Sequence, residues 1–147
     1  LQSLNLIDTY AGLILVNCSA TLPLVVWMMQ GFFSSIPKEL EEAARIDGCS
    51  YFGAFVQVVL PLSAPGIAAC AIFIFLIVWN EFLFSLIFTA RKAKTLTVVI
   101  SEFIGIFEIS WNQLAAAAVI TTLPVLAFVL FFQKGLISGL TKGAVKG

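Results

Sequence analysis

Three long apolar runs place the strongest constraint on the fold of this chain. They extend over Tyr10 to Phe33, Gly66 to Thr89 and about Leu114 to Phe132. A bilayer core of about 30 Å requires about 20 apolar residues in a helix, so each run is long enough to cross it. Because lipid offers no hydrogen-bond partner to the backbone, each run is expected to be helical. The pattern predicts an all-α, polytopic transmembrane bundle with three spans.

Composition supports a membrane protein and excludes several functional classes. Of the 147 residues, 61% are hydrophobic and 11% are charged, whereas soluble domains carry about 25% charged residues. Eight basic and eight acidic residues give a net charge of zero, so no basic surface indicates a nucleic-acid partner. The chain has no His, and Cys18, Cys49 and Cys70 lie far apart without a C-x-x-C pattern. We therefore expect no metal, cofactor or disulfide framework.

The chain also lacks the residue patterns of common catalytic sites. It contains no G-x-x-x-x-G-K-[ST] stretch, so it is not expected to hydrolyse ATP. The absence of His removes the usual Ser/His and Cys/His nucleophilic pairs. We expect a non-catalytic protein for which any energy must come from a partner.

Basic residues predict the orientation in the membrane. Three spans place the termini on opposite sides, so the loop 34–65 and the C-terminal tail share one side. That side carries five basic residues, and the side of segment 90–113 carries three. The positive-inside rule therefore favours the loop and the C-terminus in the cytoplasm. The residues are Lys38, Arg45, Lys134, Lys142 and Lys146 on the first side, and Arg91, Lys92 and Lys94 on the second.

Segment 90–113 is then expected to face the outside. Its part from Thr95 to Ile106 is apolar, but Glu102 interrupts it and it is too short to span. We predict a strand or a short helix on the outer surface. It either contacts another subunit or lies in the membrane interface.

The loop 34–65 opens with a predicted helix from Pro37 to Asp47. Proline suits the first helical turn, and Gly48 suits a left-handed residue after the helix end. Glu41 and Arg45 lie four residues apart, in the order that favours an ion pair. Asp47 is unfavourable at the negative end of the helix dipole. Its carboxylate either caps the following turn or binds a cation on a partner.

A second helix is predicted from Tyr51 to Leu60, with Ser50 as its N-cap. Pro61 and Pro65 end it before the next span. Its apolar residues are expected to pack against the membrane helices. They are Phe52, Phe55, Val56, Val59 and Leu60. The first helix shows small residues on one side, which suits close approach by another backbone. The loop therefore has the properties of a docking surface.

The loop residues resemble a known motif. Glu42-Ala43-Ala44, Asp47-Gly48 and Leu60-Pro61 follow E-A-A-x-x-D-G-x(11)-L-P. This spacing resembles the EAA loop of bacterial ABC importer permeases. VWNEFLFSLIF from Val78 to Phe88 and GLTKGAVKG from Gly139 to Gly147 are similar to the carbohydrate branch, maltose-transporter type. The chain opens LQSLNLIDTY, without Met or a basic region, and resembles the C-terminal half of such a permease.

The resemblance implies a type I importer permease fold in the bacterial inner membrane. It implies a permease subunit of an ATP-driven importer, which moves a sugar delivered by a periplasmic binding protein. The partners it implies are a second permease subunit and two cytoplasmic ATP-binding subunits. The ATPase-coupling residues are expected to be those that match the motif, namely Glu42, Ala43, Ala44, Asp47 and Gly48.

The second span contains a polar pair, Asn80 and Glu81, beside Trp79. An ionisable group within a span is a candidate functional residue, so these three residues are expected on the substrate path. Alternatively, the polar pair bonds a neighbouring helix and the Trp anchors the span at the interface. Two other functions also remain open. One is import of another solute, such as a polyamine or an amino acid, and the other is a non-transporting anchor for a soluble partner.

Overall fold

A computed structural model of the chain describes residues 5–104 and 110–144, with side chains described up to residue 132. Eight α-helices make up most of the described residues, and a π-helical segment, Phe55–Val59, joins two of them. The all-α prediction is thereby confirmed. The helices are α1 (Tyr10–Ser34), α2 (Lys38–Ile46), α3 (Tyr51–Ala54), α4 (Leu60–Leu62), α5 (Ala64–Trp79), α6 (Leu83–Phe88), α7 (Leu96–Glu102) and α8 (Trp111–Ala144).

The described residues fall into two compact units. The first unit contains those of Leu1–Leu22 and Ile74–Leu130. The second contains those of Pro23–Phe73 and Phe131–Gly147. The docking loop predicted from the sequence therefore belongs to the second unit, whereas the polar pair of the second span belongs to the first.

Two described helices are long and apolar enough to cross a membrane. They are α1 and the part of α8 from Trp111 to Phe132. A third crossing is formed if Tyr51–Leu62 and Ala64–Trp79 act as one span, although a bend of 67° separates them. The run from Gly66 to Thr89 does not form one helix, because α5 ends at Trp79 and α6 begins at Leu83.

Close packing of a glycine against an aromatic ring joins α1 to α5 within the second unit. A β-carbon added at Gly66 would lie 2.3 Å from Cγ of Phe32, so only a glycine lets the ring approach the helix backbone. The next residue, Phe33, contacts the π-helical segment, with its ring centroid 6.3 Å from that of Phe55. Ala54 is fully buried. The root of the docking loop is thereby packed against the end of α1.

The π-helical segment changes which apolar residues of the loop are covered. A π-turn contains an additional residue, so side chains before and after it no longer follow one α-helical face. Phe55 packs on Phe33, but Phe52, one turn earlier, remains 77% exposed. The prediction that the whole apolar side of this helix packs against the membrane helices is therefore wrong for Phe52.

In the first unit, polar side chains close the break between α6 and α7. The hydroxyl of Ser85, which is fully buried, accepts a hydrogen bond of 3.1 Å from the backbone N–H of Thr95. The hydroxyl of Thr97 donates to the backbone carbonyl of Glu81 at 2.7 Å. A short helix, α7, thus occupies part of the segment for which a strand or a short helix was predicted. Residues 105–109 of that segment lie outside the described residues.

Gly66→Ala is predicted to destabilise the second unit, because the added methyl group collides with the Phe32 ring. Overpacking costs about 1–3 kcal/mol, so the melting temperature in detergent should fall by several degrees. Gly31→Ala is the matched control, because a β-carbon at Gly31 would meet no atom within 4 Å. Equal melting temperatures for the two variants would show that the ring moves aside without cost.

Candidate coupling site

The first helix of the loop forms as its local sequence predicts. Helix α2 covers Lys38–Ile46, and Pro37 precedes it with an extended backbone (φ −60°, ψ 130°). Glu39 and Glu41 lie in the first turn and Arg45 lies in the last, so their charges complement the helix dipole. No residue of α2 is buried. Most of its side chains are therefore exposed, although Glu41 and Ala44 are half-buried.

Gly48 ends α2 in a left-handed turn that satisfies the last carbonyl groups. Its φ is +96°, the left-handed conformation that the sequence predicted. Its backbone N–H donates to the carbonyl of Arg45 at 3.1 Å. The N–H of Cys49 donates to the carbonyl of Ala44 at 3.0 Å. These two bonds form a Schellman motif, which requires a residue that adopts positive φ readily. A β-carbon at Gly48 would meet no atom within 4 Å, so the requirement is conformational only.

The second loop helix is capped by Ser50, as predicted. The Ser50 hydroxyl accepts a hydrogen bond of 3.1 Å from the backbone N–H of Gly53. Asp47 therefore does not provide this cap. Its backbone N–H donates to the carbonyl of Ala43, and its side chain is exposed. The interpretation in which the Asp47 carboxylate binds a cation on a partner stays a prediction.

Arg45 contacts an aromatic ring across the turn. Its guanidinium carbon lies 3.7 Å from the centroid of the Tyr51 ring, the geometry of a cation–π contact. The ion pair that the spacing of Glu41 and Arg45 favours is not formed in the described part of the chain. The stacked pair instead connects the end of α2 to the start of α3, and so stiffens the turn between them.

The structure brings the motif residues together on α2 and its turn. Ala44 is half-buried, and Glu42, Ala43, Asp47 and Gly48 are exposed. Sequence reasoning missed the exposed apolar surface beside them, because Ile46 and Tyr51 are isolated apolar residues in a polar loop and Phe52 fits the packed face of a helix. Ile46 is 86% exposed, and Tyr51 and Phe52 are also largely exposed. An exposed apolar surface with carboxylates around it is typical of a protein–protein contact.

The polar residues of the second span bond to the backbone of their own segment. The Asn80 side-chain amide donates to the Leu76 carbonyl at 2.7 Å, and the Trp79 ring packs on Phe75 with centroids 5.3 Å apart. The Glu81 carboxylate accepts hydrogen bonds from the backbone N–H groups of Phe84 and Ser85. Glu81 thus caps α6, which accounts for a carboxylate in this position. A role on the substrate path remains a prediction.

Asp8 makes several long-range hydrogen bonds that the sequence did not predict. A lone Asp before a span has no sequence pattern that indicates such a role. The side chains of the terminal stretch Gly139 to Gly147, including Lys142 and Lys146, lie outside the described residues.

Long apolar helices with an exposed loop helix between them define this chain as a polytopic membrane protein. A family can be assigned because one model matches nearly the whole sequence, residues 3–142. The chain belongs to the family of binding-protein-dependent transport system inner membrane components. The resemblance of its loop to importer permeases is thereby confirmed.

Relatives in this family include sugar permeases. The chain is 42% identical to the trehalose/maltose transport system permease protein MalG of Thermococcus litoralis, over 100% of this chain and 54% of the relative. It is 43% identical to the trehalose transport system permease protein SugB of Mycobacterium tuberculosis, over 99% and 54%. It is 40% identical to the melibiose/raffinose/stachyose import permease protein MelC of Bacillus subtilis, over 97% and 52%. The chain spans about half the length of these curated relatives.

Glu81→Ala is predicted to destabilise the first unit, because two backbone N–H groups of α6 lose their acceptor. Loss of a helix cap costs about 0.5–2 kcal/mol, and Glu81→Gln should cost less because it retains an acceptor oxygen. Thermal unfolding of the variants in detergent measures the difference.

Glu102→Ala is the matched control for this carboxylate. Glu102 pairs with Lys94 at the surface, and such pairs contribute about 0–1 kcal/mol. A Glu81→Ala protein as stable as the Glu102→Ala protein would contradict the capping role.

Proposed function

We propose that this chain is a permease subunit of an ATP-driven importer that moves a sugar across the cytoplasmic membrane. The observation that carries the proposal is the exposed helix α2, which ends in the Asp47-Gly48 turn and bears the Glu42-Ala43-Ala44 motif. Family membership supports transport, and the names of the relatives favour a sugar over a polyamine or an amino acid.

The proposed partners are the other subunits of a binding-protein-dependent importer. This chain has no phosphate-binding loop, so ATP hydrolysis is assigned to two cytoplasmic ATP-binding subunits. A second permease subunit is proposed as a further partner, because the loop resembles that of importer permeases. A periplasmic binding protein is proposed to deliver the sugar, in agreement with the description of the family.

Coupling is proposed to pass from α2 into the membrane through a stiff turn. An ATP-binding subunit would contact the exposed surface of α2, where small residues allow close approach. The Schellman motif at Gly48 and the Arg45–Tyr51 stack resist bending between α2 and α3. The helix from Tyr51 to Leu62 then continues, after a 67° bend, into α5. Displacement of α2 would therefore act on a membrane helix rather than be absorbed by a flexible loop.

The proposed arrangement places spans at about 10–33, 66–89 and 114–132, with the loop 34–65 in the cytoplasm and segment 90–113 outside. The excess of basic residues in the loop and the tail supports this orientation. Trp79, Asn80 and Glu81 are the proposed contribution to the sugar path. They lie where α5 ends, and non-helical backbone within a membrane is tolerated where it is buried in protein or lines a cavity.

Gly48→Val is predicted to reduce sugar uptake and sugar-stimulated ATPase activity in the reconstituted transporter. A left-handed backbone costs an L-residue about 1–2 kcal/mol, and a β-branched residue tolerates it poorly. Gly48→Asn is the control, because Asn adopts this conformation more readily and should retain most of the activity.

Each outcome of this experiment separates the candidate functions. Normal uptake with Gly48→Val would remove Gly48 from the coupling site. If the ATP-binding subunit detaches from the chain but its ATPase rate is unchanged, the chain would instead be an anchor that does not couple. Stimulation by an amino acid or a polyamine, but not by any sugar, would change the proposed substrate class.

A further inference from the structure

The carboxylate of Asp8 lies among backbone N–H groups of residues that are far away in sequence. Its Oδ1 atom accepts hydrogen bonds from Ala90 at 2.8 Å, from Arg91 and Lys92 at 3.0 Å each, and from Ala93 at 3.4 Å. The backbone N–H of Asp8 also donates to the carbonyl of Phe88 at 2.8 Å. The segment before α1 is therefore bonded to the loop after α6 over about eighty residues of sequence.

The backbone conformation around Asp8 directs its carboxylate toward residues 90–93. Asp8 has a φ of 56°, a left-handed conformation that Asp adopts more readily than most residues. The Thr9 hydroxyl donates to the Leu6 carbonyl at 2.8 Å and accepts from the N–H of Gly12 at 3.1 Å. A β-carbon at Gly12 would lie 2.0 Å from the Leu6 carbonyl oxygen, so the segment folds tightly onto the first turn of α1.

The carboxylate is held in its charged form. The N–H of Ala90, and then those of Arg91, Lys92 and Ala93, lower the pKa of Asp8 to about 2. Hydrogen bonds to an ionised acceptor are stronger than those between neutral groups. Residues 90–93 lie outside any helix, so their N–H groups have Asp8 as the acceptor that replaces water.

We propose that Asp8 is a positioning residue, which fastens the loop after α6 to the entrance of α1 so that the two move as one body throughout transport. The clasp, defined as Asp8 with the N–H groups of residues 90–93, rests on the proposed transport function. Its role is to give the chain one fixed end, against which the other parts move. The loop it holds also ties back to α6 through Ser85 and leads into α7.

The test uses a cysteine pair, Ile7→Cys with Lys92→Cys, in the assembled transporter with Cys18, Cys49 and Cys70 replaced by alanine. Both side chains are exposed; Ile7 is next to Asp8, and Lys92 belongs to the loop that Asp8 holds through its backbone. A short bifunctional maleimide should join them at the same rate without nucleotide and in the vanadate-trapped state. The joined protein should keep its uptake. Joining in only one state, or uptake that stops on joining, would overturn the proposal.

Substitutions of Asp8 test whether its carboxylate holds the loop. Asp8→Ala should slow the joining reaction about tenfold, because several charge-assisted bonds are lost, while the amount of assembled transporter stays the same. The joining rate of Asp8→Asn should lie between that of Asp8→Ala and that of the protein with Asp8, since the amide oxygen still accepts hydrogen bonds. Asn5→Gly, in the same segment and also at positive φ, should leave the rate unchanged. Equal rates for Asp8→Ala and Asp8 would refute the assignment.

Failure of the proposed function is distinguishable from failure of the clasp. Sugar transport is contradicted if the cysteine-pair protein takes up no sugar before the maleimide is added and the two single-cysteine variants take up none either. Uptake that is present before joining and lost after it counts against a permanent clasp. The effect of Asp8→Ala on the joining rate reports on the contact itself, whatever the protein transports.

Discussion

Every backbone polar group that leaves a helix close to lipid needs a partner, and the architecture depends on this requirement. The chain has few polar side chains, and several of them lie where helices stop. Glu81 caps α6, Ser85 bonds the start of α7 to α6, and Asp8 accepts from the loop between them. Thr97 bonds α7 to the Glu81 carbonyl, just before α6. These residues form no common sequence motif. They allow a strongly apolar chain to contain short helices and turns.

The same requirement shapes the loop that the coupling proposal concerns. Gly48 closes α2 by a Schellman motif and Ser50 caps α3, so backbone groups at both sides of the turn are satisfied without burial. The loop therefore stays ordered while its side chains remain exposed. Stiffness and exposure together suit a helix that receives a displacement from a partner and passes it to a membrane segment.

Local chemistry made much of the candidate coupling site predictable. The end of α2 and the cap by Ser50 depend on bonds between residues three to five apart, which the sequence contains in full. The π-helical segment was not predictable, because the apolar residues around it fit an ordinary helix equally well. Phe52 was consequently assigned to the packed face, whereas it is exposed. The bonds from Glu81 to the first turn of α6 were not predictable either, because they depend on the helix break beside it.

The sequence by itself determined the class of the protein, a helical membrane protein of the importer permease family, together with the loop that bears its motif. Hydropathy and short-range hydrogen bonding are properties of neighbouring residues, so they can be read along the chain. Only the tertiary structure decided that Asp8 holds residues 90–93, that Gly66 faces Phe32, and that Arg45 stacks on Tyr51 rather than pairing with Glu41. The first two contacts join segments far apart in sequence, and the third depends on the angle of the turn. Each therefore follows from which elements meet, and not from composition or spacing.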